Sequence, residues 1–169
     1  MRYNTHLMGG VATAAALYAI APEATVEVGL AMTAGTLIGS LFPDIDHKGS
    51  FIGKRLKLLS FLVRMTTGHR GATHAPILLA ALSIALLFVG NLFGFGQMWL
   101  FGIIGFFCGA ISHVLLDALT PAGVPLMYPF SKESTNFAKI KTGSFGETLF
   151  GFALMLCIVV ALGSYWLPI

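Results

Sequence analysis

Five long apolar runs, separated by short polar connections, constrain this chain more than any other feature of its sequence. A helix crosses the ~30 Å bilayer core with roughly 17–25 residues, and the length of each run falls in that range. The runs occupy residues 5–21, 26–42, 74–92, 98–119 and 146–166. Only 10% of the residues are charged, whereas soluble domains carry about 25%. We predict an all-α integral membrane protein, one domain over 1–169: a bundle of about five transmembrane helices plus one amphipathic interfacial helix.

The ten lysines and arginines predict the orientation of this bundle. All of them lie before the first run or in the connections 43–73 and 120–145, and the connections 22–25 and 93–97 have none. Because basic residues are retained on the cytoplasmic side of a membrane, we expect the N-terminus to be cytoplasmic. The basic residues are spread between apolar runs rather than concentrated on one folded face, so the net charge of +3 does not indicate nucleic-acid binding.

Residues 51–65, FIGKRLKLLSFLVRM, alternate apolar and basic residues at roughly helical spacing. A basic amphipathic helix of this kind can lie in the inner-leaflet interface, with its cations toward anionic headgroups. An ordinary cytoplasmic helix packed on the bundle fits the pattern equally well.

The scarce polar residues fall on one side of the predicted bundle. All five histidines and all three aspartates, together with Glu147, lie at the helix ends that the basic residues place in the cytoplasm. Ionisable residues within spanning segments are rare and are functional candidates by default. The residues are His6, Asp44, Asp46, His47, His69, His74, His113, Asp117 and Glu147.

Their types and spacing favour a metal centre. His113 and Asp117 are four residues apart, so both project from one face of a helix. Imidazole and carboxylate ligands suit Zn²⁺, with Mn²⁺ or Fe²⁺ as alternatives. The number of ligands would allow two ions bridged by a carboxylate, as in some hydrolases. Hydrogen-bonded core histidines are the plainer interpretation of each residue taken singly. Cys108 and Cys157 lie inside apolar runs and are expected to be small buried residues rather than ligands.

Two stretches suggest anion binding. Arg70 lies between His69 and His74, and its planar guanidinium group matches the geometry of a phosphate group. The stretch 139–147, KIKTGSFGE, combines two lysines with a helix N-terminus. This combination suits a phosphate-binding site. The same lysines could simply anchor the topology.

An early histidine together with PDIDH, HRGATH, SHVLLDALTPAGVPLMYPF and TGSFGE resembles the bacterial YdjM-related family of membrane-bound, metal-dependent hydrolases. The resemblance covers nearly the whole chain. It implies that the polar positions above, with Arg70, form the family's site. The HxxxD element of His113 and Asp117 is also similar, more distantly, to one in zinc-dependent phospholipase C, which suggests phosphoester hydrolysis.

We therefore expect a metal-dependent hydrolase of the bacterial inner membrane that acts on a lipid phosphoester at the inner leaflet. The expected metal ligands are His6, Asp44, His47, His69, His74, His113 and Asp117. Arg70 is expected to bind substrate charge, and Asp46 or Glu147 to act as a general base or to orient a ligand. The alternatives are a small transporter or channel and a non-catalytic assembly factor. A transporter typically has polar residues near the midplane and paired repeats, and neither is evident here.

Overall fold

The protein, seen in a computed structural model, is built from α-helices. The structure describes residues 1–21, 23–67 and 70–166, and no β-strand occurs in these ranges. The prediction of an all-α chain is confirmed. The helices are α1 (Tyr3–Ile20), α2 (Val26–Leu41), α3 (Lys57–Thr67), α4 (Pro76–Leu92), α5 (Gln97–Ala118) and α6 (Phe145–Trp166), with 3₁₀ turns at Phe42–Asp46 and Ala72–His74.

Each of the five predicted apolar segments coincides, to within two residues at either end, with one of the long helices, namely α1, α2, α4, α5 and α6. Within the described ranges, two helical stretches are both long and apolar enough to cross a membrane, Val26–Asp46 and Gln97–Ala118. Pro76–Leu92 and Phe145–Val160 are shorter apolar helices. Five helices at the predicted places are therefore found, while a crossing by all five stays a prediction.

A seam of small residues holds α2 against α5. A Cβ added at Gly35 would lie 2.0 Å from the carbonyl oxygen of Gly102, and one at Gly39 would lie 2.0 Å from that of Phe106. From the other side, a Cβ at Gly109 would lie 2.2 Å from the Thr36 carbonyl oxygen. Small residues allow such close backbone approach inside membranes. The seam therefore fixes the C-terminal half of α2 beside the middle of α5, residues 102–109.

The other long helices surround this pair. Helix α1 packs against α2, α5 and α6, and α4 packs against α5. A small buried core lies where α4, α5 and the chain after α5 meet, formed by Leu79, Ala110, Val114, Ala118 and Val124. This packing brings the N-terminal ends of α1 and α4 to the same end of the molecule as the C-terminal ends of α2 and α5.

The predicted amphipathic helix is shorter than its sequence pattern. Residues 51–55 form turns, and α3 begins at Lys57. The turns are held because Ser50 Oγ donates to the Asp44 carbonyl (2.8 Å) and accepts from Gly53 N–H (2.9 Å). In α3, several large apolar side chains remain exposed, among them Leu58, Phe61 and Met65. Placement of α3 in a membrane interface stays a prediction.

The chain between α5 and α6 folds back over the end of α5. An isolated antiparallel bridge joins Val124 to Thr135, and the N–H of Phe137 donates to the Ala118 carbonyl (2.8 Å). Gly123 has a φ of +62° and lies against the Thr135 backbone, where a Cβ would approach the carbonyl oxygen to 2.5 Å. Glycine is the residue that adopts this conformation without steric cost. The result is a compact cover over the polar end of the bundle.

Candidate metal centre

Three fully buried imidazole rings meet at this end of the bundle. They belong to His6 in the first turns of α1, His74 just before α4, and His113 in α5. The rings of His6 and His113 are stacked with their centroids 3.6 Å apart, and the His74 ring stands edge-on to His113 at 5.2 Å. The rings of His6 and His74 thus both lie against the ring of His113.

Asp117 lies at the centre of the three rings. It follows His113 by one helical turn, as its spacing predicts, and its side chain is 2% exposed. Its Oδ1 is 3.4 Å from His6 Nε2, while its Oδ2 is 3.8 Å from His74 Nε2 and 3.9 Å from His113 Nε2. The α-amino group of Met1 also donates to Oδ1. One carboxylate thus contacts the side chains of all three histidines.

Asp44 completes the cluster from the 3₁₀ turn after α2. Its Oδ1 is 3.8 Å from His113 Nε2, and its side chain is 20% exposed. Two groups of three therefore have ligand atoms within 4.8 Å of one another, His6–His113–Asp117 and Asp44–His74–His113. Both groups use His113, and one ring nitrogen ligates one ion. The geometry therefore favours a single ion among the five residues, and the second ion remains a prediction.

The orientation of His113 suits a metal ligand. Its Nδ1 is 2.7 Å from the carbonyl oxygen of Ser40, and a carbonyl only accepts, so Nδ1 carries the hydrogen. The lone pair is then on Nε2, which faces the carboxylates and has no hydrogen-bond partner among the described residues. Both ring nitrogens of His6 also lack such a partner. Buried polar atoms left without partners are costly, and a bound cation would satisfy those that face the carboxylates.

Asp46 orients His74 from behind. The carboxylate is fully buried, and its Oδ2 lies 3.4 Å from His74 Nδ1. It accepts hydrogen bonds from Thr73 Oγ1 (2.7 Å) and from the N–H of Arg70 (2.8 Å). Because the Thr73 hydroxyl gives its only hydrogen to Asp46, its oxygen accepts from His74 Nδ1, which is 3.1 Å away. His74 therefore presents Nε2 to the centre, the carboxylate–histidine arrangement that is common around bound metals.

Arg70 is held at the edge of the cluster. Its NH2 is 2.9 Å from Asp117 Oδ2, and its NH1 donates to the Gly123 carbonyl (3.0 Å) and to Thr120 Oγ1 (3.4 Å). Its backbone has a φ of +57°, which is uncommon for a residue with a side chain. The hydrogen bond from its N–H to Asp46 fixes this conformation.

Glu147 is not among these groups. Its Oε1 accepts from the Arg2 N–H (2.5 Å) and from Thr5 Oγ1 (3.0 Å), and its Oε2 accepts from the Gly143 N–H (2.6 Å). The carboxylate joins the start of α1 to the turn before α6. In the phosphate-binding site predicted at 139–147, the Gly143 N–H donates to the carboxylate of Glu147 and not to a ligand.

Two further predicted ligands, His47 and His69, are not among these groups of potential ligands in the part of the chain that the structure describes. His47 is exposed and lies outside both groups of potential ligands among the described residues, although it lines an adjoining cavity. His69 lies outside the described residues. Two groups that orient the ligand rings were not among the predicted residues: Thr73, beside His74, and the Ser40 carbonyl, beside His113. The position of Thr73 directly before a candidate ligand was an available signal, whereas a backbone carbonyl gives none.

Comparison with known proteins places the chain in a family. Residues 1–167 match the family model described as YdjM inner membrane protein. The chain belongs to this family. The inner membrane protein YdjM of Escherichia coli strain K12 is 35% identical over 135 residues, which cover 78% of this chain and 64% of that protein. The Shigella flexneri YdjM protein shows the same identity and coverage. The chain thus spans slightly less than two thirds of these relatives.

A third relative is similar over nearly its whole length. The uncharacterized protein YvsG of Bacillus subtilis strain 168 is 32% identical over 162 residues, which cover 93% of this chain and 92% of that protein. No solved structure matches this chain. The predicted membership of the YdjM-related family is confirmed, whereas hydrolase activity stays a prediction.

Proposed function

We propose that this protein is a metal-dependent hydrolase of the bacterial inner membrane, acting on a phosphoester of a membrane lipid. The observation that carries the proposal is the buried cluster of three imidazoles and two carboxylates. The cluster leaves His113 Nε2 and the His6 ring nitrogens without hydrogen-bond partners in the described chain. A purely structural cluster would be expected to satisfy such atoms internally.

The residues fit a divalent ion of the zinc type. His6, Asp44, His74, His113 and Asp117 would hold it, and this nitrogen and oxygen donor set also accommodates Mn²⁺ or Fe²⁺. When bound, the ion supplies Lewis-acid stabilisation of the charge that develops on phosphoester oxygens.

The surrounding residues have distinct tasks in this proposal. Asp46 keeps His74 in the tautomer that directs Nε2 to the centre, so it acts through that ring. Arg70 binds a negatively charged oxygen of the substrate, because its guanidinium is fixed beside Asp117 and is suited to phosphate. Glu147 holds the first turn of α1, and hence His6, in register with α6.

A membrane lipid is the proposed substrate for two reasons. The chain is strongly apolar, with a mean hydropathy of +0.84, and its YdjM relatives are named as inner membrane proteins. The HxxxD element resembles that of zinc-dependent phospholipase C, which supports a phosphoester as the bond that is cleaved. The lipid headgroup would reach the centre from the cytoplasmic leaflet.

Metal content and lipid turnover test the proposal together. Wild-type protein purified without chelators is expected to carry about one equivalent of zinc, manganese or iron, measured by plasma mass spectrometry. His113→Ala and Asp117→Asn should lose the metal, while Glu133→Gln, an exposed acid, should retain it. Lipid mass spectrometry of cells with wild-type or Asp117→Asn protein should show one phospholipid class accumulating with the variant. Absence of metal from the wild type, or identical lipid profiles, would refute the proposal.

The orientation of the site needs a separate measurement. In a background where both native cysteines are replaced by alanine, Phe93→Cys should react with a membrane-impermeant thiol reagent in cells whose outer membrane has been opened. Lys132→Cys should react only after the inner membrane is also permeabilised. The reverse pattern would place the site on the opposite side of the membrane.

A further inference from the structure

A cavity of about 280 Å³ adjoins the candidate metal centre. Asp44 and Asp117 form the wall that it shares with the centre, and Arg2 and Arg70 line it as well. Tyr3 and Phe51 also border it, and their rings stack at 5.3 Å. The cavity therefore joins two proposed metal ligands, two permanent cations and an aromatic pair.

The charges around this cavity select for anions once a metal is bound. Arg2, Arg70 and the α-amino group of Met1 carry three positive charges, against the two negative charges of Asp44 and Asp117. A divalent ion held by the aspartates raises this net positive charge further. Arginine pairs with phosphate through short, charge-assisted hydrogen bonds that are stronger than neutral ones. Anion binding is therefore expected to depend on the metal.

Both guanidinium groups are held by contacts within the protein. Arg70 is fixed by Asp117, Thr120 and Gly123, as described above. Arg2 donates from NH2 to the Gly143 carbonyl (2.9 Å), and its backbone N–H is bound by Glu147. Little side-chain entropy is lost when a ligand meets groups that are already ordered. Two arginines from separate parts of the chain thus line the same cavity, and each is held by at least one contact within the protein.

The size of the cavity limits what can enter. Pockets for drug-sized ligands measure about 300–1,000 Å³, so this one accommodates a phosphate with a small ester group rather than a whole lipid. Tyr3 and Phe51 are 45% and 37% exposed, and aromatic side chains of this kind are frequent at membrane–water boundaries. The remainder of a larger ester would extend out of the cavity beside Tyr3 and Phe51.

We propose that this cavity binds the phosphate group of a phosphate ester, with Arg2 as the second cation beside Arg70, and that binding requires the metal ion. The inference rests on the proposed function and adds to it the cavity that holds the phosphate, a second residue that contacts it, and the dependence of its binding on the metal. A lipid headgroup and a free phosphate ester share this chemistry.

Calorimetric titration of the full-length protein with inorganic phosphate, in a phosphate-free detergent, tests the inference. The zinc-loaded wild type should bind phosphate, and the zinc-free protein should bind it at least tenfold more weakly. Arg2→Gln should weaken binding by about tenfold or more, because a charge-assisted contact is lost, and Arg2→Lys should recover part of the affinity. Arg64→Gln is the matched control, since Arg64 is exposed on α3 and does not line the cavity.

Two esters identify the source of the phosphate. Glycerol 3-phosphate and a short-chain phosphatidic acid should both bind the zinc-loaded protein and both lose affinity in Arg2→Gln. Tighter binding of the lipid would identify a headgroup, and equal binding a free phosphate ester; either result supports the phosphate site. Binding of neither ester by the zinc-loaded wild type would overturn it, as would an Arg2→Gln affinity equal to that of the wild type.

The same titrations separate this inference from the proposed function. If phosphate binding depends on zinc and is lost in Arg2→Gln, but no phosphoester is cleaved, the phosphate site is supported and the proposed hydrolase activity is refuted. Phosphoester cleavage whose KM is unchanged by Arg2→Gln would leave the hydrolase and remove this site. Thermal unfolding of each variant verifies that the exposed Arg2 side chain can be replaced without loss of the fold.

Discussion

The contact between α2 and α5 is expected to control metal affinity, and Gly39→Ala tests this. In the native packing, the new methyl group would lie 2.0 Å from the Phe106 carbonyl oxygen. Carbon–oxygen contacts normally begin near ~3.3 Å, so the helices would have to separate locally by about 1.3 Å. Phe106 contributes backbone rather than a flexible side chain at this point, and the strain therefore cannot be relieved by a change of rotamer.

This separation would reach the metal centre through one hydrogen bond. Ser40 follows Gly39 directly, and its carbonyl oxygen is 2.7 Å from His113 Nδ1. An opening of about 1.3 Å carries this pair beyond the hydrogen-bond limit, which lies below ~3.6 Å. Loss of the group that orients a ligating histidine typically lowers metal affinity by about 10- to 100-fold. Overpacking should also destabilise the fold by about 1–3 kcal/mol.

Gly102→Ala is the matched control on the same helix pair. A Cβ at Gly102 would lie 3.6 Å from the Ala31 carbonyl oxygen, which is an ordinary contact. Alanine is favoured over glycine within a helix by roughly 0.5–1 kcal/mol, so this variant should unfold at the wild-type temperature or slightly above it. Zinc affinity is measured by competition with a chromogenic chelator in detergent, alongside thermal unfolding. Wild-type zinc affinity in Gly39→Ala would refute the reasoning, as would equal losses in both variants.

Three further predictions follow from the surroundings of the centre. Thr73→Val should lower zinc affinity by about tenfold, because Asp46 and His74 lose the hydroxyl that connects them. Thr148→Val, on the exposed surface of α6, should leave the zinc affinity measured by chelator competition unchanged. Equal zinc affinities in the two variants would contradict the role of Thr73. Glu147→Gln should lower the free energy of unfolding by about 1–3 kcal/mol in denaturant titrations, because a charged acceptor of three hydrogen bonds is removed, whereas an equal loss in Glu133→Gln would exclude that cause. Leu58→Trp should show blue-shifted fluorescence that is quenched by brominated anionic lipids if α3 lies in the interface, and an emission typical of water would contradict that placement.

The helices were predictable because the information for them is local. Long apolar runs bounded by polar residues predicted five helical segments. Each coincides with a helix whose ends differ from the prediction by no more than two residues. The spacing of His113 and Asp117 likewise placed both on one helical face without any knowledge of the tertiary structure. The small residues of segment two, such as Gly35 and Gly39, allow close backbone approach, and α5 is the partner that they meet.

The membership of the metal cluster was only partly predictable. The position of the polar residues at one end of the predicted bundle identified them as candidate ligands. The structure brings five of the candidates together, namely His6, Asp44, His74, His113 and Asp117. The same criterion also identified His47 and Glu147, which lie outside the groups of potential ligands among the described residues. The 3₁₀ turn ends at Asp46, and His47 continues in extended conformation, so neighbours in sequence face different surroundings. The carboxylate of Glu147 meets donors at Arg2, Thr5 and Gly143 instead.

The sequence by itself determined that the chain forms apolar helices with its histidines and aspartates gathered at one end. These properties depend on residue type and on helical periodicity, both of which are local. The tertiary structure alone decided which ring nitrogens face one another. That choice depends on partners far apart in the chain, such as the Ser40 carbonyl, 73 residues from His113. It became possible only because glycines on α2 and α5 let two backbones come close enough for one to orient a side chain of the other.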